Sequence, residues 1–216
     1  MINNTNQETP KTIIYNAHAH CFTIDHVPDY FAKGYLPVKL SWIRNLGFIN
    51  WLIRHLPKIL RGKNDMLDRL SNLLKYTELR NQEGKITQEK IVQQLSYYYP
   101  KDSKFVLLTM DMEYMDAGLP PIKFKEQLAE LASIKRNPNY KERIFPFLFL
   151  DPRRISPIAG TKEDFVGEEF VLQVKEYMSS GIYQGFKLYP PIGYYPFDKN
   201  LKELYQFAVQ NNIPIT

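Results

Sequence analysis

Ile13-Ile14-Tyr15-Asn16-Ala17-His18-Ala19-His20 is an apolar, strand-like run that ends in His-x-His. Successive side chains of a strand point to opposite faces, so His18 and His20 project from the same face, about 7 Å apart at Cα. Two imidazoles so placed can share a metal ion. Neutral imidazole is the commonest metal ligand among side chains, suits Zn, Fe, Ni and Cu, and gains here from the stiff backbone of a strand end. The same pair also reads as two histidines on an edge strand or a tag remnant. His26 and His55 fall away from any strand end and read as surface or core histidines. Cys21 points to the face opposite His20 and makes a poor ligand.

Outward from this run, four segments read as buried strands: Thr12 to Asn16, Lys104 to Met110, Ile144 to Leu150 and Gln184 to Tyr189. Each is a short apolar run, as expected of parallel strands covered on both faces. Helical patterns separate them. Residues 121–136 place Ile122, Leu128, Leu131 and Ala132 at helical spacing, and residues 163–179 do so with Val166, Phe170, Val174 and Tyr177 before Gly181 ends the helix. A further helix over 198–210 starts at the N-cap candidate Asp198 and leads into Ile213-Pro214-Ile215-Thr216, the opening of a fifth strand. Strands alternating with helices predict a parallel α/β sheet or barrel.

One stretch of about 75 residues between the first two strands breaks the rhythm, where a connection is usually a few residues long. Residues 27–100 read as a helical insertion. Trp42, Leu46, Ile49, Ile53, Leu56 and Leu60 make an apolar stripe over 41–62, with basic residues around it and Pro57 bending it. Two more helices are expected near 65–79 and 87–99, the latter with Thr87 as N-cap. A basic amphipathic helix either packs on the domain or docks onto a membrane or partner.

The chain of 216 residues has a formal charge of +5, but its 28 basic and 23 acidic residues are interspersed. That is a solvated basic surface, so nucleic acid is not expected as a partner. A single cysteine excludes an internal disulfide framework and fits a reducing compartment. Residues 1–12 lack an apolar export core, and no run of 18 apolar residues marks a membrane span. A cytoplasmic location is expected.

Three strings carry a resemblance: Asn16-Ala17-His18-Ala19-His20-Cys21-Phe22, Leu148-Phe149-Leu150-Asp151-Pro152-Arg153-Arg154, and Gly185-Phe186-Lys187-Leu188-Tyr189-Pro190-Pro191-Ile192-Gly193-Tyr194-Tyr195-Pro196-Phe197-Asp198. Together they resemble the amidohydrolase superfamily, in its branch of TIM-barrel metal-dependent hydrolases related to the aminocarboxymuconate semialdehyde decarboxylases. The resemblance implies a (β/α)8 barrel whose first strand supplies two metal ligands, matched by His18 and His20. It also implies further histidines on strands five and six and an aspartate on strand eight. On that reading residues 1–216 are one domain, the N-terminal part of a barrel holding strands one to four and the start of five. The next histidine falls at or just beyond position 217.

Lys187 is matched to a lysine that, in binuclear members of the superfamily, is carboxylated and bridges two metals. Three readings stay open for it: a bridging carbamate, a free ammonium gripping a substrate carboxylate, or a structural ion pair. Other polar groups fall at the C-terminal ends of strands, where a barrel keeps its chemistry. Asp111 and Glu113 follow the second strand as candidate ligands or bases, with a turn or helix-start role as the plainer reading. Arg153 is a candidate carboxylate clamp; if the strand continues, Arg154 points away, so at most one of the two lies inside. The prolines and Gly193 shape a rigid loop with Tyr194 and Tyr195 as walls.

The expected function is metal-dependent hydrolysis of an amide or ester. The ion is one divalent cation, zinc first, or two if Lys187 is carboxylated. It activates water, and Lys187, Arg153 and Asp111 serve a small substrate that bears a carboxylate. The alternatives are non-oxidative decarboxylation of an aromatic or unsaturated acid, and a non-catalytic barrel scaffold docking through helix 41–62. The insertion is read as a lid or subunit interface, which leaves a homo-oligomer open.

Overall fold

The computed structural model describes residues 13–31, 87–157 and 165–216. Four strands, β1 (Tyr15–Ala19), β2 (Lys104–Leu108), β3 (Ile144–Phe149) and β4 (Gly185–Lys187), form one sheet in the order β1-β2-β3-β4. Every neighbouring pair is parallel. A fifth segment joins beyond β4, where Phe186 bridges Ile215 in parallel and Phe186 N donates to Pro214 O at 2.8 Å.

Helix α1 (Gln88–Tyr97) precedes β2, and α2 (Phe124–Arg136) joins β2 to β3. The one-turn α3 (Pro152–Ile155) and the longer α4 (Gly167–Ser179) lie between β3 and β4, and α5 (Lys202–Gln210) follows β4. Their ends follow local chemistry. Thr87 caps α1 by accepting from Lys90 N, and Gly181, at φ +70°, takes the left-handed turn that ends α4. Asp198 caps as expected, but the first turn it starts is a 3-10 turn over Lys199–Leu201. The insertion helices expected over 41–62 and 65–79, and His55, lie outside the described residues.

Right-handed crossovers, the rule for parallel strands taken in chain order, put connecting helices on one face of a sheet. Phe105, Leu107, Ile144, Leu148 and Phe186 point that way and are fully buried with Val92, Leu128, Leu131, Phe170, Val174 and Leu204 in one apolar cluster. On the opposite face Val106, Phe145 and Phe147 are only half-buried. Phe147 lies flat against β4: a Cβ on Gly185 would come within 2.4 Å of its ring, so only glycine fits there.

β1 departs from expectation in place and in burial. It begins at Tyr15, three residues later than the run Thr12 to Asn16, and Ile13, Ile14 and Tyr15 are exposed. It is the edge of the sheet among the described residues, so one flank has no cover. It also carries a bulge: Asn16 pairs with Phe105 but Ala19 with Leu107, which sets two residues, Ala17 and His18, against one, Val106. Asn16 braces the bulge, its Oδ1 accepting from His18 N at 3.0 Å and its Nδ2 donating to Tyr99 Oη at 2.9 Å.

Candidate metal centre

The bulge sets the aim of the histidines. Ala19 turns to the buried helix face, and His18 and His20 take the open face. Their Nε2 atoms converge to 3.1 Å, with the rings edge to face at 81°. Two nitrogens on one tetrahedral zinc, each 2.0–2.1 Å from the metal, would stand about 3.3 Å apart. The pair therefore fits as two ligands of a single ion. His20 Nδ1 lies 2.9 Å from Leu108 O, and a carbonyl only accepts, so Nδ1 carries the proton. The lone pair is left on Nε2, the atom aimed at His18. Burial holds the His20 imidazole below its ordinary pKa, against the pull of the Leu108 hydrogen bond and with added push from Lys187 and His18. A neutral imidazole is the form that binds metal.

Among the described residues, no group of three or more His, Cys, Asp or Glu side chains surrounds this point. Two imidazoles are one short of the three protein ligands that a catalytic zinc takes. Cys21 is no third ligand: it is buried on the other face, its thiol donates to Gln88 Oε1, and burial pushes its pKa up to about 12. His26 is buried in a capping turn, its Nδ1 accepting from Thr23 N.

Lys187 shares the histidines' face at the C-terminal end of β4. The register puts His20, Leu108, Phe147 and Gly185 in one row, and Met110, Phe149 and Lys187 in the next row toward the strand ends. Lys187 is 5% exposed. Its Nζ has the Met110 sulfur at 3.6 Å and the rings of Tyr189 and Phe149 at 5.5 and 5.8 Å. Among the described residues no carboxylate or carbonyl meets it, so the ion-pair reading finds no partner there. Burial lowers its pKa to about 8.

The remaining candidates gather elsewhere and pair with one another. Asp111 is fully buried, with Oδ2 at 2.5 Å from Arg154 Nε and Oδ1 at 3.1 Å from Arg154 Nη2. Burial pushes its carboxyl up to about 6 even with Arg154 beside it. Glu113 joins through Oε2, 2.9 Å from Arg154 Nη2, and Oε1 accepts from Phe124 N at the start of α2. Arg153 forks onto Asp151 at 2.9 and 2.7 Å and donates to Tyr114 O. The expectation that at most one arginine lies inside assumed a continuing strand. Instead Asp151 caps α3 at Pro152, and both guanidiniums reach carboxylates. Asp111 and Arg153 thus stand in internal ion pairs, apart from the histidine pair.

Tyr194 is a buried wall, its hydroxyl accepting from Tyr189 N at 2.7 Å, whereas Tyr195 is exposed and stacks on Phe197. A cavity of about 550 Å³ opens beside Glu113, Arg154 and Glu169, and a shallow one of about 850 Å³ runs along α5 past Phe197 and Val209. Neither reaches His18, His20 or Lys187. No described helix is long and apolar enough to cross a membrane. No protein-family model matches the chain, and neither a curated protein nor a solved structure matches it.

Proposed function

We propose that this chain belongs to a metal-dependent hydrolase built on a (β/α)8 barrel, with His18 and His20 holding a divalent cation. The observation that carries the proposal is the convergence of two Nε2 atoms to 3.1 Å, one of them with its tautomer set by Leu108 O. Such an outer hydrogen bond is the usual support of a metal-bound imidazole. The barrel reading is supported by strand order: a doubly wound sheet reverses direction, whereas β1-β2-β3-β4 followed by the Ile215 segment advances one way. The amidohydrolase resemblance adds the reaction class.

A divalent ion held there supplies Lewis acidity and lowers the pKa of water toward neutrality. The chain's own residues do the rest. His20 presents its lone pair because Nδ1 is occupied, and the stiffness of β1 keeps the pair in place. Lys187 offers an ammonium whose acceptor among the described residues is a thioether, which suits the carboxylate of a substrate. That feature equally favours a second reading, decarboxylation of a carboxylic acid at the same centre. Carbon dioxide release against cleavage by water separates the two.

Elemental analysis of the purified full chain is the direct test. One equivalent of a divalent metal is expected, lost in His18→Ala and in His20→Ala. A protein that purifies metal-free and takes up no zinc or cobalt overturns the proposal.

A further inference from the structure

We infer that cation binding at His18–His20 and carboxylate binding at Lys187 are cooperative, each tightening the other. The inference rests on the metal reading above. It starts from an imbalance of charge: a divalent ion on two neutral imidazoles adds two positive charges to a face that already holds the Lys187 ammonium. Among the described residues no acidic group acts on either His20 or Lys187. β1 and β4 are three strand spacings of about 4.8 Å apart. Both side chains reach in over β2: His20 Nδ1 lies 2.9 Å from Leu108 O, and Lys187 Nζ lies 3.6 Å from the sulfur of Met110, two residues further on. The field of the ammonium opposes a cation bound there.

Among the described residues, Lys187 is also short of hydrogen-bond partners. An ammonium carries three donors, and this one is more than nine-tenths buried with the Met110 sulfur as its acceptor and aromatic faces on two sides. A carboxylate set against Nζ satisfies those donors and cancels the charge that repels the ion. The ion then holds the carboxylate by its own field. Linkage makes the gain mutual: whatever factor the anion adds to cation affinity, the cation adds to anion affinity.

The test is a cobalt(II) titration of the full chain, followed by visible absorption, in acetate and in perchlorate at one ionic strength so that screening is equal. A small chelator titrated in parallel removes acetate's own affinity for cobalt. Affinity on the order of tenfold higher in acetate is expected. Lys187→Met should bind cobalt more tightly in perchlorate and lose the dependence on acetate. Equal affinity of the unaltered protein in the two salts overturns the inference and leaves the metal reading standing. Acetate dependence that survives in Lys187→Met removes Lys187 from it. No cobalt uptake in either salt overturns both.

Discussion

Beyond the ends of β2 and β3, three carboxylates and two guanidiniums satisfy one another. Asp111 and Glu113 hold Arg154, and Asp151 holds Arg153. On the open face of the sheet, His18, His20 and Lys187 form a basic group that no acidic side chain among the described residues offsets. Both groups sit at the strand ends where a parallel fold keeps its chemistry, and residue type alone does not tell them apart. Their partners do. A charge that finds its counter-ion inside the fold contributes to structure, while one left without a counter-ion is available to a ligand. The first group even holds a strained neighbour: Phe165 takes φ +65°, unusual for an aromatic residue, with its carbonyl 3.2 Å from Arg154 Nη1.

The sharpest way to break this contrast is to damage the paired group and look at the unpaired one. Asp111→Asn removes one carboxylate from a buried guanidinium, and breaking a buried pair costs about 3–5 kcal/mol. Glu113 stays as a partner, so a loss of about 3 kcal/mol is expected in urea unfolding. Cobalt affinity should hold. A folded Asp111→Asn protein that no longer binds cobalt would show that the two groups work as one.

Lys187→Met should change stability in the opposite sense. The amine's pKa falls from 10.5 to about 8 in the fold, so between those values the unfolded chain binds more protons and stability rises with pH. Below pH 8 the full penalty for the buried charge applies. The variant should therefore gain up to about 3 kcal/mol at pH 7, at 1.36 kcal/mol per pKa unit. It should also lose the rise in stability between pH 8 and 10.5. Unfolding curves at pH 7, 9 and 10 check both. Identical pH dependence in the two proteins would mean that Lys187 has a counter-ion after all.

These charges also show what a linear sequence can carry. The His-x-His spacing was legible because strand alternation is a local rule, and so were the caps at Thr87 and Asp198 and the stop at Gly181. The bulge in β1 was not, because Asn16 reaches Tyr99, 83 positions away. The roles of Arg153 and Arg154 were hidden for a related reason. The turn at Pro152 decides which carboxylate each meets, and Asp111 lies on a different strand end. That Lys187 meets no acidic partner among the described residues is harder still to read, since such a lack leaves no mark in the string.

Gly185→Ala tests the apolar floor between the two halves of the unpaired group. The added methyl meets Phe147 ring atoms at 2.4–2.7 Å, so the ring must leave β4. Overpacking of this kind costs about 1–3 kcal/mol. Phe147 stands in the row of His20, and its displacement should weaken cobalt binding as well as stability. Loss of stability with cobalt affinity intact would confine the floor to a structural role.

The smallest effect is expected at Tyr194, the residue that touches both groups. Its ring lies 5.9 Å from the Arg153 guanidinium, and its hydroxyl accepts from the backbone of Tyr189, whose own ring lies 5.5 Å from Lys187 Nζ. Tyr194→Phe keeps the ring and leaves the Tyr189 N–H without its acceptor, at a cost of about 1 kcal/mol. If the two groups differ only in their partners, that loss stays local and the Lys187 titration, followed by NMR of the side-chain nitrogen, remains near pH 8. If it moves toward 10.5, the loop from 189 to 194 is what keeps water from the amine, and the paired group secures the burial of the unpaired one through Arg153 and Tyr194.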